Sequence, residues 1–380
     1  MLFLNMVSMA RKNLFHDKIR FIITLIGVTF SVVLIFAQVG VYLGFMRNAS
    51  MIIDKSGVDI WITSRDTPNF EWARSFPERK INTVRGTEGV EFAEKLIFAW
   101  GMMKLKDGGT EQIEIIGYNP NSGIGAPWKM KKGNIKDVKG GMYIIVDESA
   151  EKRLGRLEIG YEREIMDKRV KVIGIAEGVR SITTAPFVFA SFETARELAS
   201  YIGRDNITYI LAKVKPGYKH EEVVQKLSQR IPELSVYTGH DFSFRTRKYW
   251  TIETGMGMGF LITALLGFAI GMVIVGQTIY TSTIEHLREY GTLKAMGARN
   301  SFIYRIIFEQ ALINAFLGYI VGLIALKFLI KGYEKTGLDM VVTPLLAVFV
   351  LVITVMMCIF ASFISIRKAT KIDPVMVFRA

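Results

Sequence analysis

The chain has few of the residues from which catalytic and metal sites are usually built. Its 380 residues include one cysteine and four histidines, and no histidine lies at metal-ligand spacing from cysteine or carboxylates. The lone Cys358 excludes a disulfide within the chain. The phosphate-binding motif G-x-x-x-x-G-K-[ST] and the nucleophile motif G-x-S-x-G are also missing. The sequence therefore predicts a non-catalytic chain with no metal or cofactor of its own, and it excludes nucleotide binding through a P-loop.

Long uncharged runs are what the sequence has instead. It is 50% hydrophobic, with a mean hydropathy of +0.29. A membrane-spanning helix needs about 20 apolar residues, and runs of this length disfavour the alternative of helices buried in a soluble core. The third run is the least clean, because only 17 uncharged residues separate Glu309 from Lys327. We predict four transmembrane helices, at residues 21–46, 254–284, 303–330 and 340–366.

Basic residues beside these runs predict the orientation of the chain, because Lys and Arg in short flanks mark the cytoplasmic side. Four lie in or beside each of three segments, namely an amphipathic head (1–20), a connector (285–302) and a tail (367–380). These three segments are predicted to be cytoplasmic, with residues 47–253 and a short loop (331–339) outside. Residues 47–253 carry 33 basic and 28 acidic residues. Most of the net charge of +13 thus lies near the membrane and indicates orientation, not nucleic-acid binding.

The segment 47–253 mixes strand-like and helix-like patterns. Residues 58–63 alternate as a strand does, two strand-like runs about "DGG" predict a hairpin, and residues 219–231 form an amphipathic helical pattern. Short strands and helices in this order predict an extracytoplasmic α+β domain. Gly, Pro and Lys concentrate near residues 125–140, which suggests a division into two lobes there.

One loop of this domain is rich in hydroxyl groups. The sequence "GVRSITTAPF" (178–187) carries Arg180, Ser181, Thr183 and Thr184. These side chains could contact a ligand or a partner protein. The alternative is a polar turn between two strands, and the sequence leaves both open.

The connector between the second and third runs is compact and charged. On a helix, Glu285, Arg288, Glu289 and Thr292 fall at i, i+3, i+4 and i+7 and share one face. Gly297 lies where a glycine would end that helix. An ordered helix of mixed charge suits docking to a cytoplasmic partner. From spacing alone, a solvated helical hairpin remains the alternative.

The stretch "TIEHLREYGTLKAMGARNSFIYRIIFEQALINAFLGYIVG" resembles the signature of MacB/FtsX-type ABC transporter permeases. The opening "ARKNLFHDKIRFIITLIGVTFSVVL" and the closing "IRKATKIDPVMVFRA" resemble the ends of that family, and the middle resembles its DevC-like branch. The order of one span, a large outer domain and three more spans is also that of the family. In contrast to MacB, no ATPase is fused to this sequence, and FtsX proper has a smaller outer domain.

The resemblance implies a homodimeric permease of the bacterial inner (plasma) membrane that works with a separate ABC ATPase, which would hold ATP and Mg²⁺. Motion would pass to the outer domain and drive export of a lipid, glycolipid, peptide or small molecule, with a membrane-fusion protein and an outer-membrane channel as further partners. The alternative is an FtsX-like signalling module that activates a periplasmic partner without transport, while a membrane-anchored enzyme is disfavoured. The implied ATPase-coupling residues are Glu285, Arg288, Glu289, Gly291, Leu293, Lys294 and Gly297.

Three pairs of glycines with the spacing G-x-x-x-G lie within the predicted spans. This spacing allows two helices to approach closely. Which pair, if any, forms a dimer seam stays open at this point. The pairs are Gly40 and Gly44, Gly267 and Gly271, and Gly318 and Gly322.

Overall fold

A computed structural model describes residues 17–183, 185–336 and 339–370 of the chain. The described residues form two compact units. We call the residues up to Gly44 together with those from Gly257 onward the helix bundle, and Phe45–Met256 the large domain. The predicted head and tail therefore lie mostly outside the described residues.

Ten α-helices are present within the described residues, and we number them in chain order. Two of the long helices end at charged residues, Lys55 and Glu285. The helices are α1 (Lys18–Lys55), α2 (Lys80–Arg85), α3 (Glu151–Leu154), α4 (Phe192–Leu198), α5 (His220–Arg230), α6 (Gly239–Lys248), α7 (Met256–Glu285), α8 (Leu287–Ala295), α9 (Asn300–Thr336) and α10 (Pro344–Thr370).

Four of these helices, α1, α7, α9 and α10, are long and apolar enough to cross a membrane. The bounds of each helix differ from those of the apolar run that predicts it. For example, α1 continues past residue 46 to Lys55, and α9 extends through most of the predicted loop 331–339 to Thr336. Backbone hydrogen bonds, which define a helix, do not stop at a charged side chain. The limits drawn from charge stay predictions of where the bilayer begins, not of where the helices end.

All six glycines of the G-x-x-x-G pairs face neighbours within the same chain. A Cβ added at Gly318 would lie 2.3 Å from Cγ1 of Val28, and one at Gly322 would lie 2.6 Å from Cγ1 of Val32, so α1 and α9 pack at close range. Thr29 Oγ1 donates to the Gly318 carbonyl at 3.3 Å across the same contact. The other four glycines make similarly close approaches: Gly267 to Leu34, Gly271 to Ser31 and Met357, Gly40 to Met340, and Gly44 to the Asp339 carbonyl.

Twelve strands lie in the large domain within the described residues. Ten of them form one mixed sheet with the path β12-β1-β11-β3-β4-β9-β6-β8-β5, and β7 pairs with both β3 and β8. The strands are β1 (Ile60–Ser64), β2 (Phe76–Pro77), β3 (Val90–Lys104), β4 (Thr110–Tyr118), β5 (Met130–Lys132), β6 (Tyr143–Asp147), β7 (Glu162–Ile165), β8 (Lys168–Ala176), β9 (Phe187–Ser191), β10 (Asn206–Ile207), β11 (Tyr209–Val214) and β12 (Leu234–Thr238).

The long strand β3 holds this sheet together. Its first half pairs with β11, and its second half, from Ile97 to Lys104, pairs antiparallel with β4 through the predicted "DGG" turn. The α+β prediction and this hairpin are confirmed. The predicted division near residues 125–140 is wrong, because that segment is a loop followed by the edge strand β5, which pairs with β8. Glycines and lysines there serve an edge strand, which is exposed on one side.

Candidate functional site

The connector begins at a bend between two helices. Helix α7 ends at Glu285 and α8 begins at Leu287, with His286 between them at φ −86° and ψ 14°. The helical hydrogen bonds continue across the bend, since the His286 amide donates to the Ser282 carbonyl at 3.1 Å and the Tyr290 amide to the His286 carbonyl at 3.0 Å. The chain thus passes from α7 to α8 through a single residue, without a loop.

The other end of the connector is closed by a glycine cap. Gly297 has φ +93°, a conformation that few residues other than glycine adopt readily. Its amide donates to the Lys294 carbonyl and the Ala298 amide donates to the Leu293 carbonyl, both at 2.9 Å. This pair of bonds is a Schellman motif, which satisfies carbonyls at a helix end. Gly297 therefore ends α8, as its position in the sequence predicts.

One face of α8 anchors the connector to the helix bundle. The Tyr290 side chain is only 1% exposed and belongs to the same buried cluster as Ile303 and Ile306 of α9. Gly291 is buried beside it, and Leu293 packs against the same cluster. Of the predicted coupling residues, Gly291 is thus buried and Leu293 packs against the bundle, while their role in coupling stays a prediction.

The opposite face of α8 is open to solvent. Arg288, Glu289 and Thr292 are exposed. Glu289 lies 3.0 Å from His286 Nδ1, and the Thr292 hydroxyl donates to the Arg288 carbonyl at 2.9 Å. Lys294 is half-buried. Of the predicted coupling residues on α8, Arg288 and Glu289 are therefore the charged ones with exposed side chains.

Glu285 has a partner that the sequence did not indicate. Both of its carboxylate oxygens accept from the guanidinium of Arg20 on α1, one of them at 2.8 Å from Nη2. These hydrogen bonds lower the pKa of Glu285 from its ordinary value. The two residues are 265 positions apart, and no local pattern links them. Glu285 therefore joins α7 to α1, while its side chain stays 51% exposed.

In the large domain, the hydroxyl-rich loop surrounds a buried carboxyl group. The hydroxyls of Ser181 and Thr183 each donate to Oε1 of Glu114 at 2.5 Å, and Glu114 is fully buried on β4. Burial raises the pKa of Glu114 to about 8, and the charge of Glu71 adds to this. Two of the four predicted loop residues, Ser181 and Thr183, thus bind a group inside the domain.

Glu71 is the second buried carboxyl group of this region. Oε2 of Glu71 accepts a hydrogen bond from the Trp250 indole at 3.3 Å. The backbone carbonyl of Glu71 accepts one from the Trp100 indole at 3.2 Å. Burial raises the pKa of Glu71 to about 7. Trp250 lies in the π-helical turn Tyr249–Glu253, a few residues before α7. Nothing in the sequence distinguishes Glu71 and Glu114 from the other acids of the domain, so they were not predicted.

The remaining candidates are placed as follows. Arg180 is half-buried in the same loop, and Thr184 lies outside the described residues. Among residues 17–183, 185–336 and 339–370, no group of three or more His, Cys, Asp or Glu side chains is arranged to hold a metal ion.

Two family models match the chain. The model described as FtsX-like permease C-terminal matches residues 260–374, which include the connector and the last three long helices. The model described as MacB-like periplasmic core domain matches residues 21–230, more than half of the chain.

Two relatives and one solved structure are similar to parts or all of this chain. An uncharacterized ABC transporter permease of Mycobacterium tuberculosis is 25% identical over 98% of this chain and 99% of its own length. The macrolide export ATP-binding/permease protein MacB of Acinetobacter baylyi is 22% identical over 61% of this chain, but over only 36% of its own length. The periplasmic region of MacB from Actinobacillus actinomycetemcomitans, a solved structure, covers 49% of this chain and 91% of its own, with 13% identity and a TM-score of 0.38.

Proposed function

Since the chain belongs to the MacB/FtsX-type ABC transporter permease family, we propose that it couples ATP hydrolysis by a separate ATPase subunit to movement of its large domain. The movement drives export of a substrate such as a lipid, glycolipid, peptide or small molecule. Two copies of the chain and two ATPase subunits make up the complex. The head, connector and tail face the cytoplasm, and the large domain faces the periplasm.

The observation that carries this proposal is the two-faced connector. Tyr290 and Leu293 fix α8 to the buried cluster of the helix bundle, while Arg288 and Glu289 are exposed on its other side. A helix held in this way transmits a push at its outer face directly to α7 and α9. Exposed charges of both signs provide electrostatic complementarity for a partner protein.

The relatives support an ATPase on a different chain. The Mycobacterium tuberculosis relative, which matches along almost its whole length, is named as a permease only. The MacB relative, whose name includes ATP binding, is matched over about a third of its length. The matched part therefore corresponds to a permease unit, and the ATPase is expected as a partner subunit.

The direct test is a reconstitution. The purified chain alone should bind no ATP and hydrolyse none. When it is combined in vesicles with an ABC ATPase co-expressed from the same source, hydrolysis should rise at least several-fold over the ATPase alone. Stoichiometric ATP binding by the chain alone, or an ATPase rate unaffected by the chain, would contradict the proposal.

The orientation can be tested on intact cells with single cysteines in a Cys358→Ala background. Asn121→Cys and Lys219→Cys, both at exposed positions of the large domain, should react with a membrane-impermeant reagent from outside. Thr292→Cys on the exposed face of α8 should react only after the membrane is permeabilised. Labelling at position 292 in intact cells would contradict the proposed orientation and indicate the opposite one.

A further inference from the structure

An ion pair joins the first long helix to the start of the connector. Arg20 lies in the first turn of α1, and Glu285 is the last residue of α7. Nη1 of Arg20 donates to Oε2 of Glu285, and Nη2 donates to Oε1. A bidentate arrangement of this kind fixes the orientation of both side chains. It therefore determines where the bend at His286 begins relative to α1.

The position of the Arg20–Glu285 ion pair would allow it to break as well as form. The Arg20 side chain is 25% exposed and that of Glu285 is 51% exposed, so solvent weakens their attraction. Arg20 also has a second acid within reach, because Asp17 Oδ2 lies 3.3 Å from Nη2. The guanidinium can therefore leave Glu285 without losing every carboxylate partner.

A polar cavity lies next to the pair, between α1, α7 and α9. Its volume is about 20 Å³, enough for one water molecule. The amides of Gln310 and Asn314, one turn apart on α9, are buried, and Gln310 Nε2 and Asn314 Oδ1 have no hydrogen-bond partner among the described residues. Polar groups buried between membrane helices are costly unless they are partnered, and they are often functional. The polar side chains lining the cavity are Asp17, Arg20, Thr24, Thr278, Ser282, Gln310 and Asn314.

We propose that Arg20 is a positioning residue, which holds the connector against the first span through Glu285 and releases it when the connector moves. The polar cavity takes up water and offers alternative hydrogen-bond partners while the pair is open. The link to ATP hydrolysis rests on the proposed function, but the holding of the connector is a property of the chain alone. The two can be measured separately.

The first experiment needs no ATPase. Hydrogen exchange of the amides in Leu287–Ala295 is measured on the purified full chain in detergent, for Arg20→Glu, Glu285→Arg and both together. Each single change should speed exchange at least fivefold, because like charges then face each other. The double exchange should return the rate to within twofold of the wild type, since it restores an opposite pair.

A matched control is the exposed pair of Lys226 and Glu88 in the large domain, whose side chains lie 3.0 Å apart. Lys226→Glu with Glu88→Lys should leave exchange in α8 unchanged. Wild-type exchange rates in both Arg20→Glu and Glu285→Arg would overturn the proposal. So would a double variant that exchanges as fast as the single ones.

The second experiment measures ATPase stimulation with the same variants. Each single change should lower the stimulation about tenfold, and the double exchange should recover at least half of it. If the wild-type chain stimulates no ATPase, the proposed function fails, while the exchange rates still decide whether Arg20 positions the connector. If the wild type stimulates and the single variants stimulate equally, the role assigned to Arg20 fails alone.

Discussion

The large domain and the helix bundle treat buried polar groups differently. Among the carboxyl groups that the large domain buries are those of Glu71 and Glu114, whose raised pKa values mean that burial favours their protonated form. The bundle buries neutral amides and hydroxyls, such as Gln310 and Thr24, and its Arg20–Glu285 pair lies partly exposed at the helix ends. We therefore expect the stability of the large domain to depend on pH. In the helix bundle, the charged Arg20–Glu285 pair lies where its partners can change.

This difference predicts that the two units respond to different perturbations. Close glycine contacts decide the stability of the bundle, because its helices have little hydrophobic driving force for association in a membrane. Protonation decides part of the stability of the large domain. The exposed charges of the connector should affect binding of the ATPase more than they affect the stability of the helix bundle or of the large domain.

The largest effect is expected at the contact between α1 and α9. Gly318→Ala places a methyl group 2.3 Å from Val28 Cγ1, so one of the two helices must shift. Overpacking of this kind costs roughly 1–3 kcal/mol. The melting temperature of the purified chain in detergent should fall accordingly. Gly332→Ala on the same helix is the control, since nothing lies within 4 Å of the added Cβ, and it should be neutral or slightly stabilising.

A similar loss in both variants, or in neither, would mean that close packing at Gly318 does not stabilise the bundle.

The next effect is a pH dependence confined to the large domain. A carboxyl group whose pKa is raised by folding holds a proton that the unfolded chain releases. The contribution of these two groups to the free energy of unfolding should therefore be largest below about pH 4.5, fall as the pH rises towards 8, and then level off. Since one pKa unit corresponds to about 1.4 kcal/mol, the change should exceed that value. All five tryptophans lie in the large domain, so their fluorescence follows its unfolding.

Glu114→Gln should flatten this dependence, because an amide replaces the protonated carboxyl group without titrating. The control is Glu91→Gln, at an exposed position of the same domain. If Glu114→Gln keeps the wild-type slope between pH 5 and 8, the buried pair does not carry the pH response.

A smaller effect is expected at the end of α8. Gly297→Val adds no steric contact, since nothing lies within 4 Å of its Cβ, but it forces valine into a left-handed backbone conformation. The cost is roughly 1–2 kcal/mol. Gly297→Asn should be tolerated better, because asparagine adopts this conformation more readily. Comparing the helix-end exchange rates of the two variants checks the cause, and equal rates would exclude backbone strain.

Much of the fold could be predicted from the sequence, because its signals are local. The four apolar runs, the "DGG" hairpin and the helix end at Gly297 each depend on a few consecutive residues. The same holds for the glycine pairs as packing sites, although the sequence could not tell which helix each would face. The two-lobe prediction was wrong, since a cluster of Gly, Pro and Lys marks an irregular edge as readily as a domain boundary.

The missed features are those made by distant residues. Arg20 meets Glu285 only because the start of α1 lies beside the end of α7, and Glu114 meets Ser181 only through the pairing of β4 with β9. Charge periodicity places Glu285 on the same face as Arg288 but gives no sign of its bond to Arg20. Long-range pairings of this kind leave no pattern in a single sequence.

The central claim is that the exposed face of α8 couples the chain to an ATPase, and charge reversal tests it most directly. Arg288→Glu and Glu289→Lys change exposed side chains, so each should alter stability by no more than about 0.5 kcal/mol. Loss of a charge partner at an interface is different and can cost roughly 2–5 kcal/mol of binding.

The measurement is ATPase activity stimulated by each variant in vesicles, beside the amount of ATPase that co-purifies, with Lys219→Glu in the large domain as the charge control. We expect both connector variants to lose most of the association or the stimulation, while the control and all melting temperatures stay unchanged. Full association and full stimulation by Arg288→Glu and Glu289→Lys would contradict the account and leave the connector as a solvated hairpin.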